Sequence, residues 1–555
     1  MAVSRKQSHR SACRELAFLV LAACCAWAGV AQQAATAPRT APQASVQQYV
    51  GTYRISGRVA DAQGGNPLAR CVVEIVDVKH GFGARTVLTG EDGSFNFEGV
   101  SRSKYRLSAS KHGFVTQSYE QHDNFSTAIA VGPGLISEDL VFRLTAGAIL
   151  SGTVTDESGE PVRQAQVKLF RDQDADGIRS TQQQAITNTD DRGAFEIANI
   201  GPGAYFLSVA AQPWYARHER SNPGSSPEDA ALDVAYPTLF YPDVTDADAA
   251  TPIPVKGGER LQADFIFHAE HAMHLHIPMT EAGMRRGYGI SVSHSVFGEP
   301  ENLPVITMSS DGSGTVIDGL LPGHYDVSVT KNDSGRQSET HFSADVTGDS
   351  AQVSDEENKI NVTVTGRVIS SEGKLPPGSM MTLVARHSRN ASFAPVSDAG
   401  EFTFSVRPGS YEVLGQINHH YLATISATGA SLVGRVLTVK VGASPRLQIL
   451  LGNSYGQIDG TVMHDGHLAS AAMVFLVPDH PGENTILFRR DQSDSDGTFT
   501  LAGILPGHYR VIAIERGWEL EWAKPSVLAP FLVKSKQVDV RGNDHLQGTI
   551  ELQTR

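Results

Sequence analysis

One short pattern recurs five times along this chain, and it dictates most of what the chain can fold into. An Asp-containing turn ends in Gly, a brief strand follows, a second turn comes next, and Tyr then opens another strand. The first copy runs Glu91-Asp92-Gly93-Ser94-Phe95-Asn96-Phe97, then Tyr105. The second runs Asp191-Arg192-Gly193-Ala194-Phe195, then Pro202-Gly203 and Tyr205. The third spans Asp311-Gly312 to Pro322-Gly323-His324-Tyr325. The fourth reads Asp398-Ala399-Gly400-Glu401-Phe402, then Pro408-Gly409-Ser410-Tyr411. The fifth reads Asp496-Gly497-Thr498-Phe499, then Pro506-Gly507-His508-Tyr509. Asp-x-Gly supplies the left-handed residue that a tight hairpin needs, and Pro-Gly does the same for the second turn. Alternation after Tyr (Tyr205, Leu207, Val209) gives a strand with one buried face, so all five Tyr rings are expected in cores.

A second signature opens most units: Ser56-Gly57-Arg58-Val59, Ser151-Gly152-Thr153-Val154, Thr365-Gly366-Arg367-Val368 and Asp459-Gly460-Thr461-Val462. Each unit also closes on an apolar strand, such as Leu140-Val141-Phe142-Arg143-Leu144 or Thr549-Ile550-Glu551-Leu552. Roughly seven strands per unit of about 100 residues define an all-β fold of tandem seven-stranded antiparallel β-sandwiches. The expected units are 50–145, 146–269 with a long insertion, 270–361 (degenerate, lacking the opening Gly), 362–455 and 456–555. Short helices are expected only around 226–234 and 526–533.

The N-terminus reads as a signal peptide over 1–31. Arg5, Lys6, Arg10 and Arg14 precede an apolar stretch over 16–30 that is too short for a comfortable membrane span. A Gln/Ala/Pro/Thr-rich spacer follows over 32–49. Leu21-Ala22-Ala23-Cys24 also resembles a bacterial lipobox, which makes Cys24 a candidate lipidation site. A retained N-terminal anchor is the third alternative, and the expected location is extracytoplasmic: periplasm, cell surface or medium. Of four cysteines only Cys71 lies beyond this segment, so no internal disulfide is available and Cys71 reads as a buried thiol. No later stretch is long and apolar enough to suggest a further span. The net charge of −14 argues against nucleic acid as a partner.

The Ser-Gly-x-Val openings, the turn Asp156-Glu157-Ser158-Gly159-Glu160-Pro161-Val162, and the later Gly-x-Phe with Pro-Gly-x-Tyr resemble the carboxypeptidase regulatory-like domain. That module is a transthyretin-like sandwich, grouped also with carbohydrate-binding-like folds and Cna B-type repeats, and it is found in tandem in bacterial proteins. The resemblance implies fold and export. It implies function only weakly, because the module serves as an accessory in many settings.

Catalytic signals are absent. His480-Pro481-Gly482-Glu483 has the zinc-peptidase spacing but sits in a Pro-Gly turn. Gly452-Asn453-Ser454-Tyr455-Gly456 lies between two strands, where a nucleophile elbow needs a strand and then a helix. A better candidate is Asp172-Gln173-Asp174-Ala175-Asp176-Gly177, the first half of a calcium loop, though Gln183 stands where the bidentate Glu belongs. Asp172, Asp174 and Asp176 are therefore candidate calcium ligands, with Asp190 or Asp191 available to complete a site; the alternative is a solvated acidic hairpin. His268, His271, His274 and His276 cluster at the start of the third unit, either as transition-metal ligands or as strand and linker histidines. Trp214, Tyr215, Trp518 and Trp522 follow the Tyr strands of units two and five, either as a sugar-stacking platform or as loop anchors.

The expected function is an exported, non-catalytic binding or structural protein, with carbohydrate binding through the loop aromatics as the candidate activity. The partner would be a glycan or a cell-surface protein. The alternatives are a purely structural stalk or adhesin-like spacer, and an accessory chain of a hydrolase. No cofactor is required beyond the candidate calcium.

Overall fold

In four of the five sandwiches the opening Gly faces the repeated Phe directly across one strand pair: Gly57 with Phe95, Gly152 with Phe195, Gly366 with Phe402, and Gly460 with Phe499. The two signatures are therefore halves of one device. A Cβ on Gly366 would fall 2.1 Å from the Phe402 ring, so the ring lies over bare backbone. In the third sandwich the equivalent pair is Ile277 with Thr315, both fully buried. The bulk has changed strands, which accounts for the missing Gly signature.

The computed structural model describes residues 51–81, 83–175, 177–218, 231–277, 288–303, 307–310, 315–333, 336–348, 351–352, 362–370, 373–386 and 391–554. The expected signal segment and spacer, Cys24, Asp176, the turn at Asp311-Gly312, and 226–230 lie outside them. Residues 231–234, expected as helix, form a turn leading into the strand Val234–Ala235. The expected C-terminal helix is present as Pro525–Leu532.

Each opening strand pairs antiparallel with the Phe strand and parallel with the closing strand. Tyr53–Asp61, for example, lies between Ser94–Val100 and Leu140–Leu144, and Gly456–His464 lies between Thr498–Ile504 and His545–Gln553. The opposing sheet is built on the Tyr strand, which pairs antiparallel with the unit's second strand: Ser103–Ser110 with Val72–Asp77, and Gly507–Ile514 with Met473–Pro478. The sandwiches are thus mainly antiparallel, with a parallel seam at the closing strand; in the fifth that strand also pairs parallel with the Tyr strand, at Ala513 and Ile514. Separate apolar clusters fill them, led by Phe97 and Phe142 in the first, Phe265 and Phe267 in the second, and Phe499 in the fifth.

The five repeated tyrosines are buried, at 3 to 8 % exposure. Each hydroxyl donates to the carbonyl four residues upstream: Tyr105 to Ser101 (3.1 Å), Tyr205 to Gly201 (2.9 Å), Tyr325 to Leu321 (2.9 Å), Tyr411 to Arg407 (2.7 Å) and Tyr509 to Leu505 (2.8 Å). The ring therefore ties the second turn to the core. Burial raises the pKa of four of these phenols, and that of Tyr509 reaches about 12.

Candidate functional site

The Asp-rich segment is strand, not loop. Gln166–Ala175 pairs antiparallel with Ile178–Asn188, with one register shift between Leu169 and Phe170, setting Asp172 opposite Thr181 and Asp174 opposite Arg179. Alternating Asp suits the two-residue period of a strand as well as it suits a calcium loop. A strand separates such residues by about 6.6 Å and cannot curl round an ion. Asp172 Oδ1 accepts from Thr181 Oγ1 at 2.6 Å, and Asp174 Oδ1 lies 3.5 Å from Arg179 Nε. Gln183 sits far down the ladder opposite Phe170, and Asp190 is spent on the backbone N–H groups of Arg192 and Ala194. At Asp172 and Asp174 the ladder fits the acidic-hairpin alternative; Asp176 lies outside the described residues.

The hairpin tip docks on the fifth sandwich. Ala523 N donates to Gly177 O at 3.0 Å, and Arg179 N donates to Glu521 Oε1 at 3.1 Å. A Cβ on Gly177, whose φ is +79°, would fall 2.4 Å from the Trp522 indole. Trp522 is only 6 % exposed, packs on Phe488 with ring centroids 4.7 Å apart, and carries the Arg490 guanidinium 4.6 Å from its ring. Asp174, with a side chain 9 % exposed, has its carboxyl pKa raised by this burial, with Arg179 opposing and Glu521 and Asp123 reinforcing. Trp518 is half-buried and stacks on His122 of the first sandwich, centroids 3.5 Å apart and planes 16° apart. Trp518 and Trp522 are therefore joint residues, which corrects their reading as a sugar platform. The Asp-rich hairpin and the tryptophan loop, proposed for different ligands, meet each other.

Trp214 is different. It is 84 % exposed, with the half-buried Tyr215 ring nearly perpendicular at 5.8 Å. Tyr215 hydrogen-bonds Tyr236, which stacks on Phe267 at 4.6 Å. Of the four candidate aromatics, Trp214 alone offers a free face, on a base anchored in the core.

The first and fifth sandwiches also meet. Lys104, one residue before the repeated Tyr of the first sandwich, places Nζ 2.5 Å from Asp494 Oδ2 and 3.9 Å from Asp496 in the fifth. Ala128 N donates to Asp494 Oδ1 at 2.9 Å, Ser495 N donates to Ala128 O at 3.0 Å, and Ala130 N donates to Ser495 Oγ at 2.8 Å. Gln492 Nε2 donates to Glu120 O at 2.8 Å and to Thr127 Oγ1 at 2.9 Å. Burial pushes the Asp491 carboxyl up to about 6 and raises that of Asp494 against the pull of Lys104. No local pattern marks these residues, because the contact spans 390 positions.

Residues 54–144 and 149–235, about a third of the chain, match the family model of the carboxypeptidase regulatory-like domain. The two matches fall in tandem, one on each of the first two sandwiches. No curated protein matches the chain. Among solved structures, the TIE protein of Bacillus anthracis is 11 % identical, covering 90 % of this chain and 73 % of its own, with a TM-score of 0.15. The major pilin subunit BcpA of Bacillus cereus is 11 % identical, covering 73 % and 99 %, at 0.14. The minor pilin GBS52 of Streptococcus agalactiae is 10 % identical, covering 39 % and 95 %, at 0.21. At such scores these likenesses carry no argument about this chain.

Neither the matched pair nor the later sandwiches show a catalytic constellation among the described residues. Ser454 lies in the link between strands Arg446–Gly452 and Gly456–His464. The His480–Glu483 segment is a turn closed by Glu483 N on His480 O. Cys71, buried in the first sandwich, has its thiol pKa raised by burial. Among the described residues one grouping has metal-like spacing, His464, Asp465 and Glu551. All three are exposed, and Glu551 already accepts the Asp465 N–H at 3.1 Å. No helix among the described residues is long and apolar enough to cross a membrane.

Proposed function

We propose that the chain is an extracytoplasmic, non-catalytic scaffold whose first, second and fifth sandwiches are fastened together, holding Trp214 as an exposed contact residue. The contact between the first and fifth sandwiches carries this reading. In a stalk each unit touches only its neighbours in sequence. Here the Lys104–Asp494 pair, the backbone bonds at Ala128 and the His122–Trp518 stack link units separated by three others. A cross-linking experiment tests it. A carbodiimide reagent couples a lysine to a carboxylate only when they touch, so the monomer is expected to yield a Lys104–Asp494 or Lys104–Asp496 peptide. An extended stalk yields neither.

The exposed Trp214 face supports a second, finer reading, in which a glycan stacks on that ring. Glycan-array binding that disappears in Trp214→Ala is the expected result. Binding that survives it assigns the contact elsewhere.

A further inference from the structure

Where the second sandwich meets the third, four side chains alternate base and acid, three of them buried and the fourth, Asp233, half-buried. His218 Nδ1 lies 2.8 Å from Asp233 Oδ1; the other Asp233 oxygen lies 2.8 Å from His274 Nε2; His274 Nδ1 lies 2.8 Å from Asp318 Oδ1. His218 and Asp233 belong to the second sandwich, while His274 and Asp318 stand on paired strands of the third, Met273–Ile277 and Thr315–Leu320. The His218 and His274 side chains are each 7 % exposed, and that of Asp318 is fully buried.

The proton count follows from the geometry. A neutral imidazole has one N–H and one lone pair. His274 turns both ring nitrogens toward carboxylate oxygens, which accept and do not donate when ionised. Both contacts are satisfied only when His274 carries two ring protons. Removing one leaves a buried lone pair facing a buried carboxylate, a costly arrangement. Other charged and titratable groups nearby are His276, on the same strand as His274, and Glu270 and His271 on the strand before it, which pairs with Val234–Ala235.

We propose that this chain of residues is a proton-operated latch between the second and third sandwiches. With His274 doubly protonated it holds the segment 231–235 against the third sandwich, where Ala272 N also donates to Asp233 O at 2.9 Å. Loss of the second proton releases that segment. A cavity of about 320 Å³ lies beside it, and Ala235, Glu270 and Gly319 in its lining adjoin the latch residues in sequence or by strand pairing. Opening the latch therefore widens a cleft between two sandwiches.

The direction in pH is fixed by the two carboxylates, Asp318 first and then Asp233, which raise the His274 pKa above its ordinary value against the opposing effect of burial. A group whose pKa is higher in the folded state contributes stability in full below its unfolded value. That contribution is lost as pH rises through the folded value. The latch is closed at the ordinary histidine value of about 6.5 and opens as pH rises through the raised His274 value above it.

Hydrogen exchange of the full chain, read by mass spectrometry and corrected for intrinsic rates, tests this. Between pH 6 and pH 9, peptides covering 231–235 and 270–277 are expected to lose protection at least tenfold, while 53–61 in the first sandwich does not change. Asp318→Asn can donate to a neutral His274 and is expected to abolish the pH step. Asp233→Asn serves as a second variant, with protection at 53–61 showing that each variant is folded. Wild-type protection that does not change with pH, or a step that persists in both variants, overturns the latch.

Discussion

The hydroxyl of each repeated tyrosine holds the carbonyl four residues before it, so the residue does two separable things. Tyr509→Phe keeps the ring and strands the Leu505 carbonyl, and is expected to cost about 1 kcal/mol. Tyr509→Ala removes the ring as well and should cost about 3–5 kcal/mol. Denaturant melts of the two variants separate the terms; equal losses would mean the ring contributes nothing. The burial of these rings followed from alternation in the sequence, but the hydroxyl's partner did not, because a turn carbonyl leaves no residue-specific mark. Asp491 gives a second test. Its pKa of about 6 exceeds the ordinary carboxylate value, so the stabilisation it gives is present below about 4 and lost as pH rises through about 6. Asp491→Asn is expected to flatten that loss, worth on the order of 2 kcal/mol. Stability profiles from pH 4 to 7 check this; parallel wild-type and variant profiles would contradict it.

Paired strands explain why the third unit looked degenerate. Its Ile277–Thr315 pair stands where the other units pair Gly with Phe. Ile277→Gly and Thr315→Phe should each destabilise by about 2–4 kcal/mol, and the double variant should cost at least about 1 kcal/mol less than their sum. Simple additivity would show that the two positions do not share one volume. The Asp-rich hairpin teaches the converse. Its composition matches a metal loop, but a period of two is also the period of a strand, and the ladder to Arg179 and Thr181 favours the strand at Asp172 and Asp174. Calcium at about 10 mM is accordingly expected to leave the melting temperature unchanged. Gly177→Ala, which drives a methyl into Trp522, should destabilise by about 1–3 kcal/mol and shift tryptophan emission to the red. A calcium-dependent rise in melting temperature would restore the metal reading of the hairpin.

At the scale of the molecule, units that repeat in sequence do not say how they touch. The repeats made the sandwiches legible because turn chemistry and alternation are local. The joints are not local: Lys104 with Asp494, Gly177 with Trp522, and His274 with Asp233 join residues far apart in the chain, of types common on any surface. That is why Trp518 and Trp522 read as ligand aromatics in the sequence and why Lys104 carries no local mark of its partner. The closure of the first sandwich on the fifth separates a fastened scaffold from a stalk, and small-angle X-ray scattering of the purified chain measures it directly. A compact body of about 500 residues has a radius of gyration near 23 Å, and five units of about 13 Å each set in a row give roughly twice that. The expected value is below about 32 Å, rising in Lys104→Glu combined with His122→Ala. A wild-type value above about 40 Å, unchanged by those substitutions, would contradict the closure.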